Sequence, residues 1–310
     1  MRICQVVASW ENGGLEKHVI ELSNRLSDNH EVTVIAHPLM QAHFAPAVRF
    51  VALDFAQSRW SPRLYWQLLA AVRAARPEVI HAQANKAALL IARLRRWLPP
   101  GIRYVATLHN QKGSTTMFES YDRVIAVSGR IAALVKQAPV TVIYNGITPV
   151  AQTAIDRGAL AARFALDHHR PIWLAVGRLV DAKGFDLLIT AAAQARVQVV
   201  IVGDGPLREA LAQQIRETGA EVTLAGFCPD AAALIAAADG LVISSRYEGG
   251  PYTLPEALLA RVAVIATDVG MVSEFLPAKL MVARAAADLL AEKLGWANSH
   301  LDEVRQIMLP

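Results

Sequence analysis

Short runs rich in valine and isoleucine alternate along this chain with longer stretches in which apolar residues recur at helical spacing. The short runs are apolar at successive positions, which is typical of sheet strands buried on both faces. In the first half, the predicted strands are residues 2–7, 31–36, 49–53, 78–82, 103–108, 123–127 and 140–143. The predicted helices between them are residues 14–27, 62–75, 86–97 and 128–137.

The second half repeats this alternation. Its predicted strands lie near residues 172–176, 197–202, 221–225, 240–243, 263–266 and 279–282. Its predicted helices lie near residues 184–195, 206–217, 231–237 and 253–260. Strands joined in turn by helices form parallel sheets covered by those helices. The two series therefore predict an α/β protein with two doubly wound, Rossmann-like domains.

A turn at Asn145 and Gly146, followed by a linker over 148–156, marks the boundary between the two series. The predicted domains are residues 1–147 and 148–310. Ligands of doubly wound sheets bind beyond the carboxyl ends of the strands. We therefore expect two domains that face each other across one cleft, which is lined by strand-end loops.

The composition is consistent with this division, because 310 residues suffice for two domains of about 150. A content of 54% hydrophobic and 19% charged residues excludes a disordered chain, a collagen and a coiled coil. Two distant cysteines, Cys4 and Cys228, exclude a disulfide scaffold and favour a reducing compartment. No apolar run approaches the roughly 18 residues that a membrane helix needs. The N-terminus has the pattern of a strand and not of a signal peptide. We therefore expect a cytoplasmic protein.

Charge divides unevenly between the halves. Residues 1–150 contain 17 lysines and arginines against 9 aspartates and glutamates, whereas residues 151–310 contain 14 against 18. A basic half favours an anionic partner, although a solvated basic face without a partner explains it equally well. The basic character permits nucleic-acid binding, but no nucleic-acid module is recognisable, so we expect no such partner.

Two loops of the first half carry candidate chemistry. Gly13 and Gly14 follow the first strand and precede a helix, where the backbone can approach a ligand and the helix N-terminus favours an anion. A tight turn is the alternative. His109 follows the strand 103–108 and can exchange a hydrogen bond or a proton with a ligand. The alternative is a histidine satisfied by nearby backbone.

Two loops of the second half are richer in glycine and charge. Gly177 follows a strand, and Arg178 and Lys183 bracket the loop that leads to the next helix. Two cations beside a helix N-terminus can neutralise a diphosphate, and an ordinary surface ion pair is the alternative. Gly203 and Gly205 follow the next strand, where a tight turn can bring the backbone close to a ligand.

The most specific signal is a pair of carboxylates, Glu248 and Glu256, on either side of a glycine-rich turn. Glu248 can accept hydrogen bonds from sugar hydroxyls, and Glu256 can hold a ribose diol. The turn between them consists of Gly249, Gly250, Pro251, Tyr252 and Thr253. The backbone N–H groups at its end can bind phosphate oxygens. The alternative is that one of these glutamates only stabilises a helix N-terminus and the other is an ordinary surface residue. This explanation is weaker, because it does not account for the glycines between them.

Metal-binding motifs are missing from the sequence. It contains neither Asp-x-Asp nor His-Glu-x-x-His. A metal that holds a diphosphate usually needs paired carboxylates. We therefore expect no metal and no cofactor, and we assign the binding of the diphosphate to side-chain cations and helix termini.

Taken in order, the motifs resemble the retaining glycosyltransferases of family 4, which have the GT-B fold. They are Gly13-Gly14-x-Glu16, Thr107-x-His109, residues 124–132, 142–147, 175–189, 201–209 and 222–227, the pair Glu248 and Glu256, and residues 264–276. The resemblance implies that the second domain binds a nucleoside diphosphate sugar, with UDP the first choice of nucleotide. It also implies transfer with retention of the anomeric configuration to a glycan or lipid-linked acceptor, in the synthesis of lipopolysaccharide core or another envelope polysaccharide.

The resemblance also assigns roles to individual residues. Arg178 and Lys183 would contact the diphosphate, Glu248 and the backbone after it the donor sugar, and Glu256 the ribose. From the first domain, Gly14 and His109 would approach the donor. The acceptor would be bound by the first domain, where Glu16 and His81 are the candidate contacts.

Two features depart from the family pattern. The segment His81-Ala82-Gln83 lacks the second histidine of the family's His-x-His motif. The family's final helix, which crosses back onto the first domain, is not evident, so we expect a shortened C-terminus and more loosely coupled domains.

Two other functions stay open. A nucleotide-sugar epimerase would share the fold, and a non-catalytic nucleotide-sugar-binding scaffold would suit a shortened C-terminus. A dinucleotide oxidoreductase is disfavoured, because neither half begins with the Gly-x-Gly-x-x-Gly motif.

The basic segment 93–97 offers a possible membrane contact. It places Arg93, Arg95 and Arg96 beside Trp97, a composition suited to peripheral docking on an anionic inner-membrane surface. A helix with a solvated basic face explains the segment equally well.

Overall fold

The protein is described by a computed structural model that covers residues 1–11, 13–110, 114–147 and 155–308. It divides into two compact units, Met1–Gly146 and Ile147–Pro310. Most of the linker predicted over 148–156 lies outside the described residues.

The first unit is built on a sheet of seven parallel strands in the order β3-β2-β1-β4-β5-β6-β7. The strands are β1 Arg2–Val7, β2 Glu31–Ala36, β3 Arg49–Ala52, β4 Val79–Gln83, β5 Arg103–Leu108, β6 Arg123–Ala126 and β7 Val140–Val142. Its α-helices are α1 Gly14–Leu26, α2 Pro62–Ala75, α3 Ala84–Leu94 and α4 Gly129–Ala132. The strand order reverses between β1 and β4, so the loops that follow these two strands flank the switch point of the sheet.

The second unit is built on a sheet of six parallel strands in the order β10-β9-β8-β11-β12-β13. The strands are β8 Ile172–Val176, β9 Gln198–Val202, β10 Val222–Gly226, β11 Gly240–Ile243, β12 Ala263–Thr267 and β13 Met281–Val282. Its α-helices are α5 Arg157–Arg163, α6 Phe185–Ala195, α7 Arg208–Thr218, α8 Ala231–Ala237, α9 Thr253–Leu259, α10 Val272–Phe275, α11 Ala287–Ser299 and α12 Leu301–Met308. Here the strand order reverses between β8 and β11.

Both faces of each sheet are buried, as the unbroken apolar runs predict. In β8, Trp173 and Ala175 pack into one hydrophobic cluster, whereas Ile172 and Leu174 pack into another. Successive side chains of a strand point to opposite faces, so the two clusters are the two layers that cover the sheet. The predicted parallel α/β architecture is confirmed.

The prediction differs from the structure mainly in the helices. The helix predicted over 128–137 is shorter, because α4 ends at Ala132 and the chain continues in tighter turns, with Leu134 N donating to Ile131 O (3.1 Å). Helices α5, α10, α11 and α12 were not predicted.

Two helices, neither of them predicted, follow the last strand. Helix α11 packs against α6, and its Asn298 accepts a hydrogen bond of 3.0 Å from the buried indole of Trp173. Helix α12 follows and buries Val304 completely. Both helices thus complete the core of the second unit.

Candidate functional site

The loops after β8 and β11 meet at the switch point of the second sheet, and backbone contacts hold them together. Gly184 closes the first loop with a left-handed φ of +61°, and a Cβ there would lie 2.3 Å from the carbonyl oxygen of Ser244. The Ser244 hydroxyl donates to the carbonyl oxygen of Lys183 (2.9 Å). The Arg246 backbone N–H donates to the carbonyl oxygen of Ala182 (2.8 Å).

Arg246 fastens the same two loops through its side chain. Its guanidinium binds both carboxylate oxygens of Asp186, at 2.7 and 2.6 Å, and donates to the carbonyl oxygen of Asp181 at 3.0 Å. These hydrogen bonds hold the pKa of Asp186 below its ordinary value. Sequence reasoning assigned no role to Arg246, because its partner stands 60 positions away.

Lys183 and Glu248 form the central ion pair of the site. The Lys183 ammonium contacts Oε1 of Glu248, and the Ser245 hydroxyl donates to the same oxygen (3.0 Å). The Thr267 hydroxyl in turn donates to the carbonyl oxygen of Ser245 (2.6 Å). The two charged side chains keep 26% and 12% of their surfaces exposed. The site thus presents one cation and one carboxylate that are fixed in place and still accessible to a ligand.

The predicted glycines explain how the loops pack so closely. A Cβ at Gly203, where φ is +141°, would lie 2.0 Å from the carbonyl oxygen of Gly177, and a Cβ at Gly177 would lie 2.9 Å from Cε of Lys183. A Cβ at Gly205 would lie 2.6 Å from the carbonyl oxygen of Leu179. These glycines therefore have a packing role in the structure, and their contact with a donor stays a prediction.

Gly270 belongs to the same arrangement and was missed. Its φ is +51°, and a Cβ there would lie 2.4 Å from the carbonyl oxygen of Gly249. The loop after β12 thus rests on the glycine-rich turn. A glycine just beyond a strand end was the available signal, and it lies within a motif already noted, residues 264–276.

The other predicted residues of this unit lie on the same strand-end loops. Arg178 is exposed in the loop after β8, between Gly177 and Lys183. The glycine-rich turn continues through Gly250, the buried Pro251 and Tyr252 into α9, which begins at Thr253. Glu256 lies half-buried in the first turn of α9.

In the first unit, the loop after β1 leads into α1 at the switch point of its sheet. Glu16 accepts hydrogen bonds from the backbone N–H of Gly13 (3.1 Å) and from the hydroxyl of Ser9, and only 6% of its surface is exposed. It therefore caps the N-terminus of α1, directly beside Gly14. This structural role accounts for Glu16, and its contact with an acceptor stays a prediction. Asn12 lies outside the described residues.

Three histidines gather near the carboxyl ends of β4 and β5. His81, with 6% of its surface exposed, has Nε2 2.7 Å from the hydroxyl oxygen of Thr107. His109 has Nε2 2.8 Å from the amide oxygen of Gln83, so its partner is a side chain and not the local backbone. The ring of His18 on α1 lies edge-on to His109, with 4.8 Å between centroids. Sequence reasoning predicted His81 and His109 and missed His18 and Gln83.

All three histidines are held neutral. Burial lowers the pKa of His18 to about 4 and that of His81 to about 3. Burial, reinforced by repulsion from the other two rings, lowers the pKa of His109 well below its ordinary value. At neutral pH the cluster can therefore exchange hydrogen bonds, but it holds no imidazolium.

A groove on the first unit combines tryptophan with arginine. It has a volume of about 840 Å³, and its lining includes Trp60, Tyr65, Arg93, Arg95, Arg96 and Trp97. The guanidinium of Arg93 lies 4.0 Å from the ring centroid of Trp60, and that of Arg96 lies 4.0 Å from the ring centroid of Trp97. Trp60 is 67% and Trp97 45% exposed. Stacked arginines beside exposed indoles make a surface suited to anionic and amphipathic ligands.

Two kinds of site are absent from the described part of the chain. Within it, no group of three His, Cys, Asp or Glu residues could hold a metal ion. Likewise, none of its helices has the length and apolar character needed to cross a membrane.

Two family models match the chain, one for each unit. The model described as Glycosyltransferase Family 4 matches residues 12–150. The model described as Glycosyl transferases group 1 matches residues 156–298.

Individual relatives match parts of the chain. The alpha-D-kanosaminyltransferase of Streptomyces kanamyceticus is 35% identical to this chain in sequence. The match covers 41% of this chain and 35% of that relative's length. The lipopolysaccharide core biosynthesis glycosyltransferase LpsE of Rhizobium meliloti is 25% identical over 77% of this chain and 71% of its own length. The chain thus spans only about a third of the first relative.

Solved structures match the fold almost completely. HepE of Anabaena, crystallised in complex with UDP-glucose, has a TM-score of 0.82 to this protein at 21% identity, covering 99% of this chain and 92% of that chain. The two sheets and this likeness show the GT-B fold.

Proposed function

Since the chain belongs to the GT-B glycosyltransferases of the family 4 type, we propose that it transfers a sugar from a nucleoside diphosphate sugar to a hydroxyl of an acceptor, with retention of the anomeric configuration. The observation that carries the proposal is the ion pair of Lys183 and Glu248 at the switch point of the second sheet. This is where doubly wound folds bind nucleotides.

The donor is assigned to the second unit. The cations of Arg178 and Lys183 neutralise the diphosphate, Glu248 accepts hydrogen bonds from sugar hydroxyls, and Glu256 holds the ribose diol. The turn that leads from Gly249 into α9 supplies backbone N–H groups to the same ligand. UDP is our first choice of nucleotide, and the proposed transfer uses no cofactor or metal.

The chemistry follows from charge. As the bond between the anomeric carbon and the phosphate oxygen breaks, negative charge grows on the diphosphate and the sugar becomes oxocarbenium-like. Fixed cations stabilise that growing charge, because they need no reorganisation during the reaction. The acceptor hydroxyl attacks from the face that the diphosphate leaves, and the departing phosphate oxygen takes its proton. The sugar therefore keeps its anomeric configuration.

The acceptor is a glycan or a lipid-linked molecule of envelope polysaccharide synthesis. This assignment is supported by the name of the relative LpsE, which places that protein in lipopolysaccharide core biosynthesis. From the first unit, we assign Gly13, Gly14 and His109 to donor contacts and Glu16 and His81 to the acceptor side.

The Trp–Arg groove around Trp60 and segment 93–97 is our candidate contact with an anionic membrane surface. From Arg59 to Arg96 the chain carries eight lysines and arginines and one acidic residue, Glu78. Cations attract anionic headgroups, while indoles favour the interface between headgroup and acyl chain. A peripheral position on the inner membrane would bring the enzyme to lipid-linked acceptors.

A panel of UDP-, GDP- and ADP-sugars tests the proposal. A donor that binds the folded protein raises its melting temperature by mass action, and we expect the largest rise with a UDP-sugar. The stabilising donor is then incubated with acceptor glycans, and the anomeric configuration of the product is read by NMR. A product with inverted configuration would refute retention.

The same incubations distinguish the transferase from the two alternatives, an epimerase and a non-catalytic scaffold. Epimerisation of the donor sugar without an acceptor would identify an epimerase. Binding of a donor without either its transfer to any acceptor or its slow hydrolysis would identify a scaffold.

A further inference from the structure

Gln83 lies at the end of β4, between the rings of two histidines. Its amide oxygen is 2.8 Å from Nε2 of His109, and its amide nitrogen is 3.0 Å from the amide oxygen of Gln5 on β1. The same nitrogen lies 3.5 Å from Nδ1 and 3.4 Å from Nε2 of His81. Gln83 and Gln5 are both buried, with 1% and 0% of their surfaces exposed.

The contact with His81 determines which way the Gln83 amide points. An atom almost equally far from both ring nitrogens at this distance must lie over the ring face, because in the ring plane it would clash with the carbon between them. The ring face is electron-rich, so it attracts an N–H group and repels a carbonyl oxygen. The amide nitrogen therefore lies over His81, and the amide oxygen faces His109.

This orientation has a consequence for the proton on His109. An amide oxygen only accepts hydrogen bonds, so the ring nitrogen that it contacts must carry the hydrogen. We propose that Gln83 is a positioning residue that holds His109 in its Nε2–H tautomer, which leaves Nδ1 as a hydrogen-bond acceptor. Since His109 is held neutral, it carries only this one ring hydrogen.

The proposal specifies the kind of ligand group that His109 can bind. Among the described residues, Nδ1 of His109 has no hydrogen-bond partner, and the residue is only half-buried. An acceptor nitrogen pairs with a donor, such as a sugar hydroxyl, and repels a phosphate or carboxylate oxygen. His109 therefore selects hydroxyl-bearing ligands; this consequence rests on the proposed function, whereas the tautomer itself does not.

Histidine ¹⁵N NMR of the free, full-length protein tests the tautomer directly. The shifts of the two ring nitrogens distinguish a protonated nitrogen from an unprotonated one, and a His109→Gln sample identifies the signals of His109. We expect a protonated Nε2 and an unprotonated Nδ1 at pH 7. A His109 ring that carries its hydrogen on Nδ1, or a fast average of both forms, would overturn the proposal.

A variant of Gln83 then tests whether this residue determines the tautomer of His109. Gln83→Met keeps the length of the side chain and removes the acceptor, so the two tautomers should mix. Gln198→Met, which removes a buried glutamine from β9 of the second unit, is the matched control and should leave the His109 signals unchanged. A pure Nε2–H form in Gln83→Met would show that Gln83 does not position the ring.

Kinetics give a second readout. We expect Gln83→Met to lower kcat/KM about tenfold, the equivalent of one hydrogen bond. An inactive wild-type protein with His109 in the Nε2–H form would defeat the proposed transferase function and leave the tautomer assignment standing.

Discussion

Lys183 and Glu248 pair with each other at the point where the proposed donor binds. A diphosphate must therefore share the Lys183 ammonium with a carboxylate that repels it. This arrangement favours a complete donor over the bare nucleotide, because the sugar hydroxyls supply hydrogen bonds that satisfy Glu248. The pair thus links recognition of the diphosphate to recognition of the sugar.

Glu248→Gln should separate these two effects. We expect UDP to bind about three- to tenfold more tightly, because the competing negative charge is gone, while sugar transfer falls sharply. Calorimetry with UDP and a transfer assay measure the two quantities. Glu303→Gln, which removes the carboxylate of the exposed pair with Lys279 (2.6 Å) in the same unit, should change neither. Weaker UDP binding by Glu248→Gln would contradict the prediction.

Lys183→Ala removes the cation itself. We expect kcat/KM to fall by about two orders of magnitude, the equivalent of the roughly 2–4 kcal/mol that a preorganised group contributes to a charged transition state. Urea unfolding should show that the fold is retained. Near-normal turnover in both Lys183→Ala and Glu248→Ala would defeat the assignment of the site.

The neutral histidines predict how stability depends on pH. The pKa of His18 is about 4 and that of His81 about 3 in the folded protein, below the roughly 6.5 of an unfolded chain. Between these values the unfolded state binds more protons, so stability falls as the pH drops from about 7 to 4. His18 alone should account for about 3 kcal/mol of that loss, at about 1.4 kcal/mol per pKa unit.

Urea unfolding of His18→Gln at pH 7, 5.5 and 4 measures this contribution. The variant should lose less stability than the wild type over this range. His43→Gln, which replaces an exposed histidine of the same unit, should follow the wild type. An unchanged pH profile for His18→Gln would show that the buried ring does not govern the acid sensitivity.

At the residue scale, sequence reasoning identified the charged groups but not their partners. Lys183 and Glu248 were recognised as ligand contacts, yet nothing in the sequence showed that they pair with each other. Arg246 and Gln83 were overlooked for the same reason, since their partners, Asp186 and His109, lie far from them in the sequence.

Among the elements, the strands were predicted within about two residues of their observed ends, because runs of β-branched residues mark a strand buried on both faces. Helix α11 was missed although Leu290, Leu294 and Ala297, all buried, follow the i, i+4, i+7 spacing of a helix. Its stability comes from packing against α6, where Gly295 approaches the side chain of Ala195.

Gly184 and Gly219 provide a matched test of loop packing. Both have left-handed backbone, with φ of +61° and +63°, but a Cβ at Gly184 would lie 2.3 Å from the carbonyl oxygen of Ser244, whereas a Cβ at Gly219 would meet nothing within 4 Å. We expect Gly219→Ala to cost about 1 kcal/mol of stability from backbone strain alone. Gly184→Ala should cost at least twice as much and also weaken UDP binding, because the loops must separate.

Urea unfolding of Gly184→Ala and Gly219→Ala measures the loss of stability, and calorimetry measures their affinity for UDP. Equal losses of stability, with UDP binding unchanged in both, would show that contact between the loops after β8 and β11 is not needed for the site.

For the molecule as a whole, the basic charge of residues 1–150 and the Trp–Arg groove make a joint prediction. Vesicles that contain phosphatidylglycerol should bind the protein more tightly than vesicles of phosphatidylcholine alone. The binding should weaken steeply between about 50 and 500 mM salt, since salt screens exposed charges. Sedimentation measures the bound fraction, and the fluorescence of the tryptophans reports their transfer into the interface.

Arg96→Glu should reduce this binding more than Arg49→Glu does. The two substitutions change the net charge equally, but Arg49 is exposed on β3, whereas Arg96 stacks on Trp97 in the groove. Binding that ignores salt, or equal effects of the two substitutions, would contradict docking through the groove.

The kinds of elements, their order and the loops that carry charge and glycine all follow from the sequence alone. These properties depend on residues that are neighbours along the chain, so a local pattern contains them. Which loops meet depends on how the chain folds in three dimensions. The fold sets Glu248 against Lys183, Gln83 against His109 and Trp60 against Arg93, because a parallel sheet places side by side strands that are far apart in the sequence.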